Sequence, residues 1–202
     1  MQSSNGAYSG RFHMNQEQLD SEKKLIETAK QNPVKFQPLY ERYYEGVFRF
    51  VYKRMDDKEL AADIVSQVFL KAMINLCSYT SKGVPFGSWL FAIARSEIYQ
   101  AFRNQKSVRI INVDSMHVFE MLESDESGDD QLNSDRLKEV VEELRNLQED
   151  DLMIVEMKYF EKRSYKEIGE ILGITENNAK VRSHRILERI KKKVENNIRK
   201  NE

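Results

Sequence analysis

The chain has 202 residues, of which 40% are hydrophobic and 32% charged, with three prolines and eight glycines. Those proportions suit one ordinary domain or two small ones and exclude collagen, low-complexity disorder and a Pro/Gly-rich polymer. A single cysteine, Cys77, excludes an internal disulfide, and Cys and His do not fall at zinc-finger spacing, so no metal or other cofactor is expected. Uncharged apolar runs fall short of the about 18 residues needed to span a bilayer, and the polar start Met1 to Asp20 lacks an apolar signal core. A soluble, intracellular and therefore cytoplasmic protein is expected.

The net charge of −1 hides a segregated pattern. Residues 31–106 carry eleven Lys/Arg against seven Asp/Glu, and residues 107–134 carry one against seven. Residues 135–179 carry seven against twelve, and residues 180–202 nine against three. Two basic zones are thus separated by acidic ones. Local charge governs an encounter, because salt screens anything beyond about 8–10 Å.

Residues 1–20 are polar and aperiodic and read as a loose tail. Helical periodicity begins near Ser21, an N-cap candidate ahead of Glu22 and the Leu25/Ile26 pair, and Pro33 interrupts it. Phe36, Leu39/Tyr40, Tyr43, Val47, Phe50 and Val51 then recur at three- and four-residue steps, predicting a helix with one buried stripe. Asp56-Asp57 opens another helix, whose apolar face runs through Leu60, Ile64, Val68, Phe69, Ala72, Met73 and Leu76. Ser78 to Pro85 is a loop by composition, punctuated by Gly83 and Pro85. A further helix starts near Phe86 and carries Trp89/Leu90, Ile93/Ala94, Ile98 and Ala101/Phe102.

The rhythm fails between Ser107 and Asp135, where an acidic, Ser- and Gly-containing stretch reads as a flexible linker. Beyond it, apolar positions at Leu137, Val140/Val141, Leu144 and Leu147, then Leu152, Ile154/Val155 and Tyr159, predict two more helices. No window reads as a strand. The expected architecture is all-α: a loose tail at 1–20, helical domains at 21–106 and 135–202, and the acidic linker at 107–134.

The most informative stretch runs from Ser164 to Ile190. Ser164 followed by Glu167 is a capping box, Gly173 stands where a helix needs a left-handed residue to stop, and Thr175 is an N-cap for the next helix. Short helix, glycine turn, second helix is a helix-turn-helix. In the second helix Ala179, Ser183, Ile186 and Ile190 share an inner face. The opposite side presents Asn177, Asn178, Lys180, Val181, His184 and Arg185, with Arg182 flanking. Asn, Lys and Arg side chains there can meet purine edges in a major groove. Arg189, Lys191, Lys192 and Lys193 suit phosphates.

Three segments ahead of that motif decide between its many possible uses. They are FQPLYERYYEGVFRFVYKRM at 36–55, ELAADIVSQVFLKAM at 59–73 and FGSWLFAIARSEIYQAFRN at 86–104. In this order the trio resembles region two of the extracytoplasmic-function sigma factors, and the helix-turn-helix looks like the family's region four. The resemblance covers residues 21–106 and 136–194. It implies a promoter-specificity subunit of bacterial RNA polymerase, with core polymerase and promoter DNA, duplex and melted, as partners. It also implies an anti-sigma factor and no small-molecule substrate.

By the same resemblance, Asp63, Gln67 and Leu70 would grip the polymerase clamp, while Val68 and Met73 read as core. Here Ser66-Gln67 stands where the family carries Gln-Glu. Tyr79, Thr80, Ser81 and Lys82, with Trp89, Arg95 and Arg103 on the following helix, would meet the melted minus-ten strand; Phe86 and Trp89 also suit core packing. Asn177, Asn178, Lys180, Val181, Arg182, His184, Arg185 and Arg189 would meet the minus-thirty-five element. The acidic linker would either mimic nucleic acid inside the polymerase or act as a plain tether.

A stand-alone helix-turn-helix regulator with an N-terminal sensing domain is the alternative, and it predicts DNA binding without polymerase. An enzyme has little support, because a phosphate-cradling glycine loop, a nucleophile–base spacing and a segregated carboxylate pair are all missing from the sequence.

Overall fold

The computed structural model describes residues 14–55, 57–105 and 130–201, and among these there are helices and turns but no strand. The chain divides into two compact units, residues 1–111 and 112–202. The first thirteen residues of the expected tail, and all of the acidic linker up to residue 129, lie outside the described residues.

In the first unit, α1 (Gln16–Gln31) starts earlier than the periodicity suggests. Asn15, not Ser21, is its N-cap: the Asn15 side chain accepts from Gln18 N–H while the Gln18 side chain accepts from Asn15 N–H. Apolar spacing marks where a helix becomes buried, whereas the cap marks where it begins, and here the two differ by a turn and a half. A 3-10 turn at Pro33–Phe36 follows, with the Asn32 side chain accepting from Val34 N–H. Then come α2 (Gln37–Met55) and α3 (Lys58–Asn75), the latter capped by Asp57, which accepts from both Glu59 and Leu60 N–H. A short 3-10 turn and a loop lead to α4 (Phe86–Gln105).

Helices α2, α3 and α4 pack on one another around Leu39, Val47, Val65, Val68, Phe86 and Leu90, all completely or almost completely buried. Gly87 permits the closest approach: a Cβ there would lie 2.5 Å from the Tyr43 ring. Phe69, on the expected apolar face of α3, is core, under the rings of Tyr40 and Tyr44. One expectation for α3 is corrected. Met73 is 43% exposed, because it sits past the edge of the stripe that faces α2 and α4. The segment Lys58–Ser78 is apolar and long enough to cross a membrane by length and composition alone. In this bundle the apolarity has two uses, a buried side formed by Ile64, Val65 and Val68 and an exposed patch of Leu70, Met73 and Ile74.

The second unit runs α5 (Asp130–Arg145), α6 (Glu149–Val155), a π-helical turn at Glu156–Phe160, α7 (Tyr165–Leu172) and α8 (Glu176–Asn201). Sequence periodicity joins α6 smoothly to Tyr159, but the chain inserts the wider π turn there and then reverses through Lys162, a non-glycine residue at φ 55°. The core is made by Val140, Leu144, Leu152, Ile154, Ile168 and Ile171 against one face of α8.

Candidate nucleic-acid interface

The helix-turn-helix is built by local hydrogen bonds. Ser164 Oγ accepts from Glu167 N–H at 3.2 Å, and the Glu167 carboxylate accepts from Ser164 N–H at 3.0 Å and from its hydroxyl at 2.8 Å. Gly173 ends α7 at φ 68°, a left-handed conformation that favours glycine. Thr175 Oγ1 then accepts from Asn178 N–H at 3.2 Å and starts α8. Sequence reading did not single out Gly169, yet the turn closes directly over it. A Cβ on Gly169 would lie 2.8 Å from the Ile174 carbonyl oxygen and 3.2 Å from Glu176 N. Ala179, Ser183, Ile186 and Ile190 form the buried inner face of α8, as their spacing predicts.

On the outer face Asn177, Asn178, Lys180, Val181, His184 and Arg185 are exposed. The His184 ring lies 6.4 Å from that of Tyr165 on α7, along one edge of this face. The opposite edge departs from expectation. Arg182 is committed to Asp151 on α6, with Nη2 donating to Oδ1 at 2.7 Å, and Arg189 Nη2 lies 3.6 Å from the other oxygen of the same carboxylate. Lys193, expected on phosphates, instead pairs with Glu143 of α5 at 2.7 Å, and Asn197 donates to Glu139. Carboxylates on two helices further back in sequence therefore neutralise part of the basic helix, and nothing in local spacing announces it.

In the first unit the loop after α3 is held from α1. The Lys30 ammonium donates to the Tyr79 carbonyl oxygen at 2.9 Å. Glu22, almost wholly buried on α1, accepts from the Phe86 backbone N–H at 2.7 Å, from the Tyr43 hydroxyl at 2.5 Å and from Arg42 at 3.2 Å. Burial, and then the adjacent Glu22 carboxylate, push the Tyr43 phenol well above its ordinary range, which keeps it a donor. A carboxylate at the first N–H of α4 also suits the positive end of the helix.

Between α1 and this loop lies a cavity of about 130 Å³ lined by Lys23, Ile26, Glu27, Lys30, Tyr79, Thr80 and Ser81. Tyr79, expected at the melted strand, is packed against its neighbours here. Its ring is buried, edge-on to Phe86 at 5.1 Å and against Trp89 at 4.8 Å. Thr80, Ser81 and Lys82 are exposed, and Trp89 is half-buried in the same aromatic group. Further along α4, the Arg95 guanidinium lies 4.7 Å from the centre of the Tyr99 ring, and Arg103 is exposed in the last turn.

On α3, Asp63, Gln67 and Leu70 are exposed, and Met73 and Ile74 extend the apolar patch begun by Leu70. Sequence patterning could not have placed Met73 there, since it satisfies the spacing of the buried stripe.

Three comparisons with known proteins bear on this geometry. Residues 39–108 match Sigma-70 region 2, and residues 137–190 match Sigma-70 region 4. Among curated relatives, the ECF RNA polymerase sigma factor SigM of Bacillus subtilis is 28% identical over 155 residues, covering 76% of this chain and 91% of that one. The chain belongs to the extracytoplasmic-function sigma factors.

Another member, the sigma factor BldN of Streptomyces coelicolor, is 26% identical over 151 residues, and the match spans 74% of this chain but only 56% of BldN. Among solved structures, CnrH in complex with the cytosolic domain of CnrY shares the fold at TM-score 0.56, with 17% identity over 85% of this chain and 95% of that one. Sigma factors are initiation factors that bind core RNA polymerase and direct it to promoters, a role distinct from catalysis. In this sigma factor α1 lies ahead of the matched region 2, yet it supplies Glu22 and Lys30 to the loop and to the start of α4.

Proposed function

We propose that three surfaces divide the work of this sigma factor. The exposed side of α3, with Asp63, Gln67 and Leu70 and the neighbouring Met73 and Ile74, docks on the coiled-coil clamp of core polymerase. Thr80, Ser81 and Lys82 meet the melted strand near minus ten, with Arg95 and Arg103 along its phosphates. The outer face of α8 reads the minus-thirty-five duplex through Asn177, Asn178, Lys180, Val181, His184 and Arg185. An anti-sigma protein that covers these surfaces is part of the same reading, and the site of action is the cytoplasm, where the polymerase works.

The single observation that carries this reading is a capped helix-turn-helix presenting exposed amide and basic side chains, in a chain whose other unit matches region 2. Side chains of that type recognise base edges at about 1–3 kcal/mol for each good contact. The test is to add the full chain to core polymerase, transcribe a library of bacterial promoter fragments and sequence the RNA starts. A discrete set of starts sharing one upstream element is expected; DNA binding as strong without polymerase as with it would favour the stand-alone regulator.

Two variants separate the surfaces. Lys180→Ala/Arg185→Ala is expected to reduce transcription from those promoters by about tenfold or more, the loss of one or two base contacts, while core binding measured by co-migration is unchanged. Leu70→Asp is expected to weaken core binding with only a small fall in melting temperature, because Leu70 is 50% exposed.

A further inference from the structure

Part of the positive charge of α8 never faces solvent unopposed. Asp151 lies in the first turn of α6, and its side chain is largely covered, 18% exposed. It holds Arg182 at 2.7 Å and lies 3.6 Å from Arg189, one helical repeat of seven residues further on, so a single carboxylate engages two guanidinium groups along one edge of the reading face. A charge-assisted Arg–carboxylate bond of this length is about twice as strong as a neutral hydrogen bond. Partial burial also protects it from the salt screening that weakens pairs on an open surface. By contrast, Lys180, Arg185, Lys191 and Lys192 make no ion pair among the described residues.

We infer that Asp151 sets how many DNA phosphates the reading helix engages: it withholds Arg182 and Arg189 from the backbone and leaves α8 to bind through its base-facing residues. The inference rests on the proposed role of α8 as the duplex-reading helix. Its physical content is a count. Each phosphate neutralised by a protein cation releases condensed counterions, so log affinity falls by about 0.9 per phosphate for each decade of salt. A cation already satisfied by a carboxylate must break that pair before it can contribute to the slope. Two arginines on the flank of a recognition helix would otherwise strengthen binding to any duplex, whatever its sequence.

The experiment measures binding of the full chain, assembled with core polymerase, to a promoter duplex and to a random duplex over a series of salt concentrations. Four forms are compared: wild type, Asp151→Asn, Arg182→Gln/Arg189→Gln, and the triple variant. Asp151→Asn is expected to tighten binding to the random duplex and to steepen the log–log slope by about 0.9 for each arginine released, up to about 1.8. The triple variant is expected to return to the wild-type slope, and Arg182→Gln/Arg189→Gln alone to leave that slope unchanged. An unchanged or shallower slope for Asp151→Asn overturns the inference. So does a shallower slope for the double arginine variant, which would mean that both arginines already sit on phosphates. Should Asp151→Asn fail to fold by circular dichroism, the double arginine variant decides alone. A wild-type holoenzyme that does not prefer the promoter duplex would instead overturn the proposed role of α8, whatever the slopes.

Discussion

Glu22→Ala is expected to destabilise the first unit strongly. It removes one carboxylate that accepts from the Tyr43 hydroxyl, the Phe86 backbone N–H and Arg42, at a site almost closed to water. The Tyr43 hydroxyl and the Phe86 N–H both lose their carboxylate acceptor at a buried site, and an unsatisfied buried donor carries a desolvation penalty. Each of the two donors left without a partner costs about 1–3 kcal/mol, while Arg42, 38% exposed, returns to solvent. For a domain of this size the two donors together mean a fall in melting temperature of about 10 °C or more.

Tyr43→Phe, which deletes one donor and leaves the carboxylate two others, should cost about 1–2 kcal/mol. Thermal unfolding followed by circular dichroism checks both, and equal shifts for the two variants would show that Glu22 is not the hub. The functional consequence should follow the structure. With the first N–H of α4 released, the segment around Thr80–Lys82 loses a tie to α1, and strand opening should suffer more than duplex binding.

Gly169→Ala is expected to do the comparable damage in the second unit. The added methyl would lie 2.8 Å from the Ile174 carbonyl oxygen and 3.2 Å from Glu176 N, and both are backbone atoms of the turn itself. A side chain could swing aside; the turn can only open, which moves the start of α8 away from α7. Overpacking of this sort costs about 1–3 kcal/mol, a large share of the roughly 4–10 kcal/mol available to a unit of some 70 residues.

More important, the same shift re-aims the reading face. Transcription from promoters that need the upstream element should fall by at least about tenfold, equivalent to 1.4 kcal/mol, while co-migration with core polymerase persists. Gly173→Ala is the control. Nothing lies within 4 Å of a Cβ there, and the only penalty is the left-handed φ of 68°, about 1–2 kcal/mol. A Gly173→Ala variant more defective in promoter selection than Gly169→Ala would contradict this account of the turn.

The features legible in advance share one property: each is stated by residues within a turn or two of one another. Ser164 with Glu167, Gly173, and Thr175 specify their cap, stop and restart through bonds spanning three or four residues, so the helix-turn-helix could be drawn from its spelling. The stripe Leu39, Tyr43, Val47, Phe50 is a period, and a period survives whatever packs against it. The readings that tertiary contacts altered concern partners. Tyr79 reads as a polar loop residue until Phe86 and Trp89 enclose its ring, and Met73 reads as core until the edge of the α2–α4 contact is known. Arg182 reads as a cation without a partner until Asp151, 31 residues earlier in the chain, comes within 2.7 Å.

By itself, the sequence determined the helical class, the split into two units, the family and the face of α8 that looks outward. Periodicity and capping are local free energies, and they act before any tertiary contact exists. Only the tertiary structure decided which of the outward cations are at liberty, which loop side chains are buried, and that α1 reaches across to anchor the start of α4. Those outcomes depend on pairings between residues distant in the chain, whose energies are comparable to the local ones but whose geometry no window of sequence contains.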